Sequence, residues 1–223
     1  MAEFIYKREF YRNYFVRKYI FLSMRLTRFF DEIKDRHSCG CSLVKYVPSL
    51  YRETLGATGS ESTCYWVLDK IFKDMTLDEK DAFLDVGCGK GRVLAYMIHK
   101  SYPCSLTGIE LNRDVAAFAQ NWAKQYDRLT IIHGNALEQD YNPFTVLSLA
   151  RPFEPDAFYQ FVNHLESNLK HKIRMVFWWD TESGGYLENR TGWNLIKRER
   201  VFNSHGLFMY RWPVRYSIWE YTP

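Results

Sequence analysis

The stretch Ala82-Phe83-Leu84-Asp85-Val86-Gly87-Cys88-Gly89-Lys90-Gly91-Arg92-Val93 decides the fold of this chain. Phe83, Leu84 and Val86 form a short apolar run, as in a strand buried on both faces of a parallel sheet. Gly87, Gly89 and Gly91 follow at alternate positions. Without a Cβ, the chain can turn sharply there and a ligand can rest against bare backbone. From Arg92 the pattern becomes helical, with Val93, Leu94, Met97 and Ile98 on one face. Strand, glycine turn and helix make the first half of a mononucleotide-binding unit. The new helix offers unpaired N–H groups to whatever lies over the turn.

Working outward, Ser105 to Ile109 read as a second strand ending at Glu110. An acid there, about 20 residues past the glycines, can accept both hydroxyls of a ribose. Leu129 to His133 read as a third strand, followed by Gly134-Asn135-Ala136. The dinucleotide fingerprint is G-x-G-x-x-G; here the third glycine comes one residue early. The spacing Asp85-x-Gly87-x-Gly89-x-Gly91 resembles motif I of class I S-adenosylmethionine-dependent methyltransferases. Gly134-Asn135-Ala136 resembles that family's adenine-contact segment, usually Gly-Asp-Ala, and Asn keeps an acceptor oxygen. Glu61-Ser-Thr63-Cys-Tyr65-Trp-Val-Leu resembles the lead-in to motif I in small bacterial members with the Gly-Cys-Gly-Lys-Gly-Arg variant.

The resemblance spans roughly residues 56–180. It implies an α/β fold: a Rossmann-like doubly wound, mostly parallel seven-stranded sheet with helices on both faces. It implies S-adenosyl-L-methionine as cofactor. Carried over residue by residue, it implies cofactor contacts at Thr63, Asp85, Gly87, Cys88, Gly89, Gly91, Glu110, Leu111, Asn135 and Ala136. Lys90 and Arg92 are expected to be solvated or near the cofactor carboxylate.

The 223 residues are 47% hydrophobic and 17% aromatic, which argues against disorder. Early apolar residues are interleaved with Lys and Arg, unlike a signal peptide. No run of about 20 apolar residues suggests a spanning helix. A cytoplasmic location with reduced thiols follows as the expectation. Residues 1–36 hold nine Lys/Arg and five Asp/Glu; the remainder balances at 21 of each, so the net +4 lies in the N-terminal segment. The apolar residues of this segment, Phe4, Tyr11, Phe15, Leu22, Leu26 and Phe29, fit a helical stripe. A membrane-surface helix and a nucleic-acid patch both suit such a basic, aromatic segment. The reading adopted is a helix whose stripe packs on the domain near the cofactor cleft and helps roof the substrate site. The chain divides into an N-terminal helical, basic-aromatic extension, 1–55, and a methyltransferase domain, 56–223.

His37-Ser-Cys39-Gly-Cys41 lacks the second cysteine pair that structural zinc usually takes, so no metal is expected. Pro48 to Gly59 reads as a linker. Ser60 or Ser62 would cap a helix from Thr63 to about Met75, with Trp66, Val67, Ile71 and Phe72 inward. Asn112 would cap a helix through Gln125, with Val115, Phe118, Ala119 and Trp122 inward. Thr145–Ala150 and Ile173–Trp179 read as strands four and five, with a helix over Pro155–Lys170 between them. Trp193–Phe202 and Leu207–Tyr221 read as an antiparallel pair around Asn203-Ser-His-Gly206.

Methyl transfer needs a sulfonium, a nucleophile in line with it and a proton acceptor where the nucleophile is protonated. The family often places Asn-Pro-Pro-Tyr or Asn-Pro-Phe after strand four; this chain has Arg151-Pro152-Phe153. A guanidinium has only donors, which weighs against amino-group methylation of a base and towards an anionic acceptor held by Arg151. Asp180 is the nearest candidate base. The reading is a methyltransferase acting on a small-molecule acceptor. A nucleic-acid or protein methyltransferase and a non-catalytic cofactor-binding module remain open. A nicotinamide dehydrogenase is disfavoured by the early third glycine and the missing Tyr-x-x-x-Lys pair.

Overall fold

The computed structural model describes residues 13–202 and 214–223. Seven strands form one sheet: β1 (Ala82–Val86), β2 (Ser105–Glu110), β3 (Leu129–His133), β4 (Val146–Ala150), β5 (Ile173–Trp178), β6 (Trp193–Val201) and β7 (Val214–Tyr221). Their order across the sheet is β3-β2-β1-β4-β5-β7-β6. The first five run parallel, and β7 runs antiparallel to both β5 and β6. This is the Rossmann-like α/β architecture expected from the sequence. The Asn203–Gly206 turn and the start of the Leu207 run lie outside the described residues.

The parallel strands alternate between two buried faces, because successive side chains point to opposite sides. Phe83, Val146, Val176 and Trp178 join one core beneath α3 (Tyr65–Phe72), α4 (Arg92–His99) and α5 (Arg113–Ala123). Leu84, Val86, Leu147, Leu149, Met175 and Phe177 join the other, covered by α6 (Pro155–Asn168). The chain moves outward from β1 through β2 to β3, then crosses back to β4 and β5. Right-handed crossovers therefore put α4 and α5 on one face and α6 on the other. The order reverses between β1 and β4, which opens a crevice at their carboxyl ends.

Asn112 caps α5 as expected, accepting from the N–H groups of Asp114 and Val115. Phe118 is not inward: it is 37% exposed, and Lys90 Nζ lies over its ring. Neither Ser60 nor Ser62 caps α3, whose N-cap is Cys64. Ser62 Oγ instead donates to Leu43 O at 2.7 Å.

The N-terminal region departs most from expectation. Helix α1 (Tyr14–Cys39) meets the domain with Ile20, Asp31, Asp35, Ser38 and Cys39. The stripe that was to pack on the domain faces away from it: Phe15, Leu22, Leu26 and Phe29 are exposed. Phe4 and Tyr11 lie outside the described residues. The presumed linker is folded. It holds a short helix, α2 (Arg52–Leu55), and isolated antiparallel bridges pair Val47 with Ser60 and Ala57 with Phe153. No helix among the described residues is long and apolar enough to cross a membrane.

Candidate cofactor and acceptor site

The crevice between β1 and β4 is a cleft of about 850 Å³, counting the part open to solvent, at the place where doubly wound sheets take their ligands. Its floor is the glycine turn after β1. Gly87, Gly89 and Gly91 all have positive φ, at 69°, 55° and 88°. The Cβ-free space serves the protein itself. A Cβ on Gly87 would stand 2.4 Å from Pro152 Cβ, and one on Gly89 would stand 2.4 Å from Ser60 Oγ. From behind, Trp122 Nε1 on α5 donates to Lys90 O at 2.9 Å and pins the turn.

Two carboxylates frame this floor. Glu110 ends β2, as the sequence indicates. Its Oε2 accepts from Gly89 N at 2.9 Å and its Oε1 from Asn112 N at 2.8 Å. The carboxylate thus ties the glycine turn to the next loop and keeps lone pairs for a ligand. Burial pushes its carboxyl up, and the backbone N–H groups of Asn112 and Gly89 pull it back. Asp85 sits inside β1, in register with Ser148 of β4 and 2% exposed. Burial pushes its carboxyl up to about 8, Ser148 opposes this by hydrogen bonding, and Glu110 adds to it. Its Oδ1 is buried without a partner, a costly arrangement unless a ligand group supplies a donor.

The adenine-side candidates line the same cleft: Leu111, Asn135 and Ala136. Asn135 Oδ1 accepts from Leu137 N at 3.0 Å, capping a 3₁₀ turn over Ala136–Glu138. Cys88 lines the cleft too, and its thiol lies beside Gly108 of β2, where a Cβ would stand 2.7 Å from Sγ. Thr63 is buried at the opposite wall.

Sequence reasoning placed Thr63 at the cofactor but missed the rest of the roof. Residues 57–63 cross the cleft and line it. Backbone hydrogen bonds hold them there, from Thr58 N to Pro152 O at 3.0 Å and from Ser60 N to Val47 O at 2.8 Å. The linker-like composition gave turns but no partner; the available signals were the density of Ser and Thr able to tie loops together and, from Glu61 on, the resemblance to the lead-in to motif I.

Lys90 and Arg92 are not solvated. Lys90 Nζ donates to Lys45 O. Arg92 is 4% exposed. Its Nε and Nη2 grip Asp35 of α1 at 3.0 and 2.6 Å, and its Nη1 lies 3.5 Å from Asp31. Nη1 also donates to Ser62 O at 3.3 Å. Arg92 therefore joins α1, α4 and the roof.

A second compartment of about 690 Å³ adjoins the first, lined by Tyr46, Arg52, Glu61, Arg151, Trp178 and Trp179 among others. Arg151 and Trp179 directly follow β4 and β5 with left-handed φ of 51° and 64°. Side chains held in this conformation are strained and concentrate at functional sites. The Arg151 guanidinium lies 5.8 Å from the Trp179 ring centroid, its Nη2 is 3.1 Å from Glu182, and its Nε is buried without a partner. Glu61 borders both compartments. Asp180, the candidate base, lines neither. It is wholly buried, accepts from Arg215 Nε at 2.6 Å and pairs with Arg198 at 3.3 Å.

A crevice at the reversal of a doubly wound sheet, floored by a glycine turn and framed by two acids, defines a Rossmann-like cofactor-binding domain. Residues 83–172 match the family model described as methyltransferase domain. The ribosomal RNA small subunit methyltransferase A of Clostridium acetobutylicum is 30% identical over 76 residues, 34% of this chain and 27% of that protein. The chain thus spans about a quarter of that relative's length. An RNA methyltransferase from Salinibacter ruber, solved with S-adenosyl-L-homocysteine, aligns with a TM-score of 0.52 at 20% identity, over 72% of this chain and 92% of that one. Geranyl diphosphate C-methyltransferase from Streptomyces coelicolor aligns with a TM-score of 0.56 at 13% identity, over 70% and 76%. At these identities the structural likeness is one of fold.

Proposed function

We propose that the protein is an S-adenosylmethionine-dependent methyltransferase, with its cofactor under the 57–63 roof and its acceptor in the adjoining compartment. The observation that carries this reading is the unpartnered Oδ1 of Asp85, buried beside the glycine turn. It suits a cationic amino group, while Glu110 suits ribose hydroxyls and Asn135, Ala136 and Leu111 suit the base. The cofactor's contribution, when bound, is an electrophilic methyl group on a sulfonium. The protein's contribution is to hold the cofactor, exclude water with the roof and orient an acceptor against Trp178, Trp179 and Arg151. Arg151, with donors only, suits an acceptor bearing an anionic group.

RNA is the second acceptor class, supported by the names of the Clostridium relative and the Salinibacter structure. The test is a thermal melt with S-adenosylhomocysteine and, separately, with NAD. At about 100 times Kd a ligand adds about 2.7 kcal/mol. A rise of several degrees with the first ligand and none with NAD is expected. The reverse would end the methyltransferase reading. Labelled methyl transfer to a panel of small anionic acceptors and to RNA then separates the acceptor classes.

A further inference from the structure

Helix α1 divides into two faces. Val16, Ile20 and Met24 pack with Phe202, and Asp31 and Asp35 close on Arg92. Phe15, Tyr19, Leu22, Leu26, Phe29 and Ile33 form a second stripe, all of them exposed. Leu22 lies two residues from Ile20, about 200° around a helix of 3.6 residues per turn, so the stripes lie on opposite sides. From Asn13 to Phe30 the chain carries Arg17, Lys18, Arg25 and Arg28 and no acidic residue. Lys18 and Arg25 lie over the exposed rings of Tyr14 and Phe21, at 6.0 and 5.8 Å from their centroids.

We infer that the outer face of α1 docks on an anionic membrane surface. An apolar face of Phe, Leu and Ile bordered by Arg17, Lys18, Arg25 and Arg28, with Glu32 at its far end paired to Arg36 at 2.8 Å, matches a helix lying in the lipid headgroup region, with aliphatic groups immersed and Lys and Arg at the phosphates. The other occupants fit less well. A second copy on this stripe would bring Lys18 and Arg25 against their counterparts, and the one acid along it that reaches the surface, Glu32, is already paired with Arg36. An RNA backbone would engage the cations but leave Leu22, Leu26 and Ile33 without apolar contact. Arg28 lies 3.7 Å from Glu61, which borders both compartments, so a docked helix lies beside the cleft. This inference is independent of the cofactor reading.

The full-length protein is to be sedimented with phosphatidylcholine vesicles, with and without about one third phosphatidylserine. Binding to the anionic vesicles alone is expected, weakening with added salt. Leu22→Glu/Leu26→Glu, at exposed positions, should abolish sedimentation while leaving the melting temperature unchanged. Lys18→Glu/Arg25→Glu should do the same. Three results would each overturn the inference. One is no sedimentation of the native protein. Another is undiminished binding by both variants. The third is a stable dimer in light scattering, or binding of labelled single-stranded RNA, that Leu22→Glu/Leu26→Glu abolishes while vesicle binding persists.

Discussion

Asp85 shows how one buried residue sets a pH dependence. In the unfolded chain its carboxyl titrates near 3.8, and in the folded protein near 8. Between these values the folded state holds a proton that the unfolded state has lost. Stability therefore falls as pH rises through this window, by at most about 1.4 kcal/mol per pH unit, and levels off above it. Asp85→Asn should flatten that slope in urea melts taken across the window; an unchanged slope would assign the dependence elsewhere. A cationic ligand group at Asp85 favours the carboxylate, so binding below pH 8 should also release a proton. Calorimetry of S-adenosylhomocysteine in buffers of different ionisation enthalpy reads that release directly. The Gly89 turn supplies a second residue-scale test. Gly89→Ala places a Cβ against Ser60 Oγ and holds alanine at φ +55°, a backbone cost of about 1–2 kcal/mol. Cofactor affinity should drop because Ser60 must shift its hydroxyl to clear the new Cβ. Adding Ser60→Gly should restore affinity but not the backbone cost, whereas no rescue would show that the roof is not what Ala displaces.

Among the elements, α1 and α4 are joined by a buried ion pair, beside the contact of the His37 and His99 rings. Arg92, Asp35 and Asp31 are at most 4% exposed, and Tyr65 and Leu43 complete the hydrogen bonding of Asp35. Removing one partner leaves the other buried and unmatched, which costs about 3–5 kcal/mol. Arg92→Met should destabilise the protein by that order in denaturant unfolding. Arg92→Met with Asp35→Leu should recover much of the loss. Equal losses in the single and double variants would mean that the pair matters through packing alone. Because Arg92 also holds Ser62 O, the single variant should loosen the roof and weaken cofactor binding.

At the scale of the whole molecule, the first half of α1 is an appendage and its second half is part of the domain. Among the described contacts, a chain beginning at residue 27 loses the small cluster around Ile20 and should melt within a few degrees of the full protein. A chain beginning at residue 37 loses Asp31 and Asp35 and should be destabilised as Arg92→Met is. Comparable melting of the two truncations would refute this division.

Much of this was legible because the signals are local. The apolar runs of β1, β2 and β3, the glycines between β1 and α4, the Asn112 cap and the acid ending β2 are each specified within a few neighbouring residues. They sufficed for the sheet, the crevice and the placement of Asp85, Glu110 and Asn135 around it. The remainder depended on partners far away in the chain. An amphipathic pattern establishes that α1 has an apolar face, but not that a pair of acids on its other side would find Arg92 some sixty residues on. Desolvating those charges is favourable only because the fold brings them together, so the stripe stays outside. The segment 48–59 reads as a linker because its order comes from backbone bonds to the loop after β4, which no side-chain pattern encodes. Asp180 has the chemistry of a base, and only the packing of β6 and β7 brings Arg198 and Arg215 onto it. Local residue patterns determined the strands, the glycine turn and the cofactor floor; tertiary contact alone decided which charges are buried, what roofs the cleft and which face of α1 meets solvent.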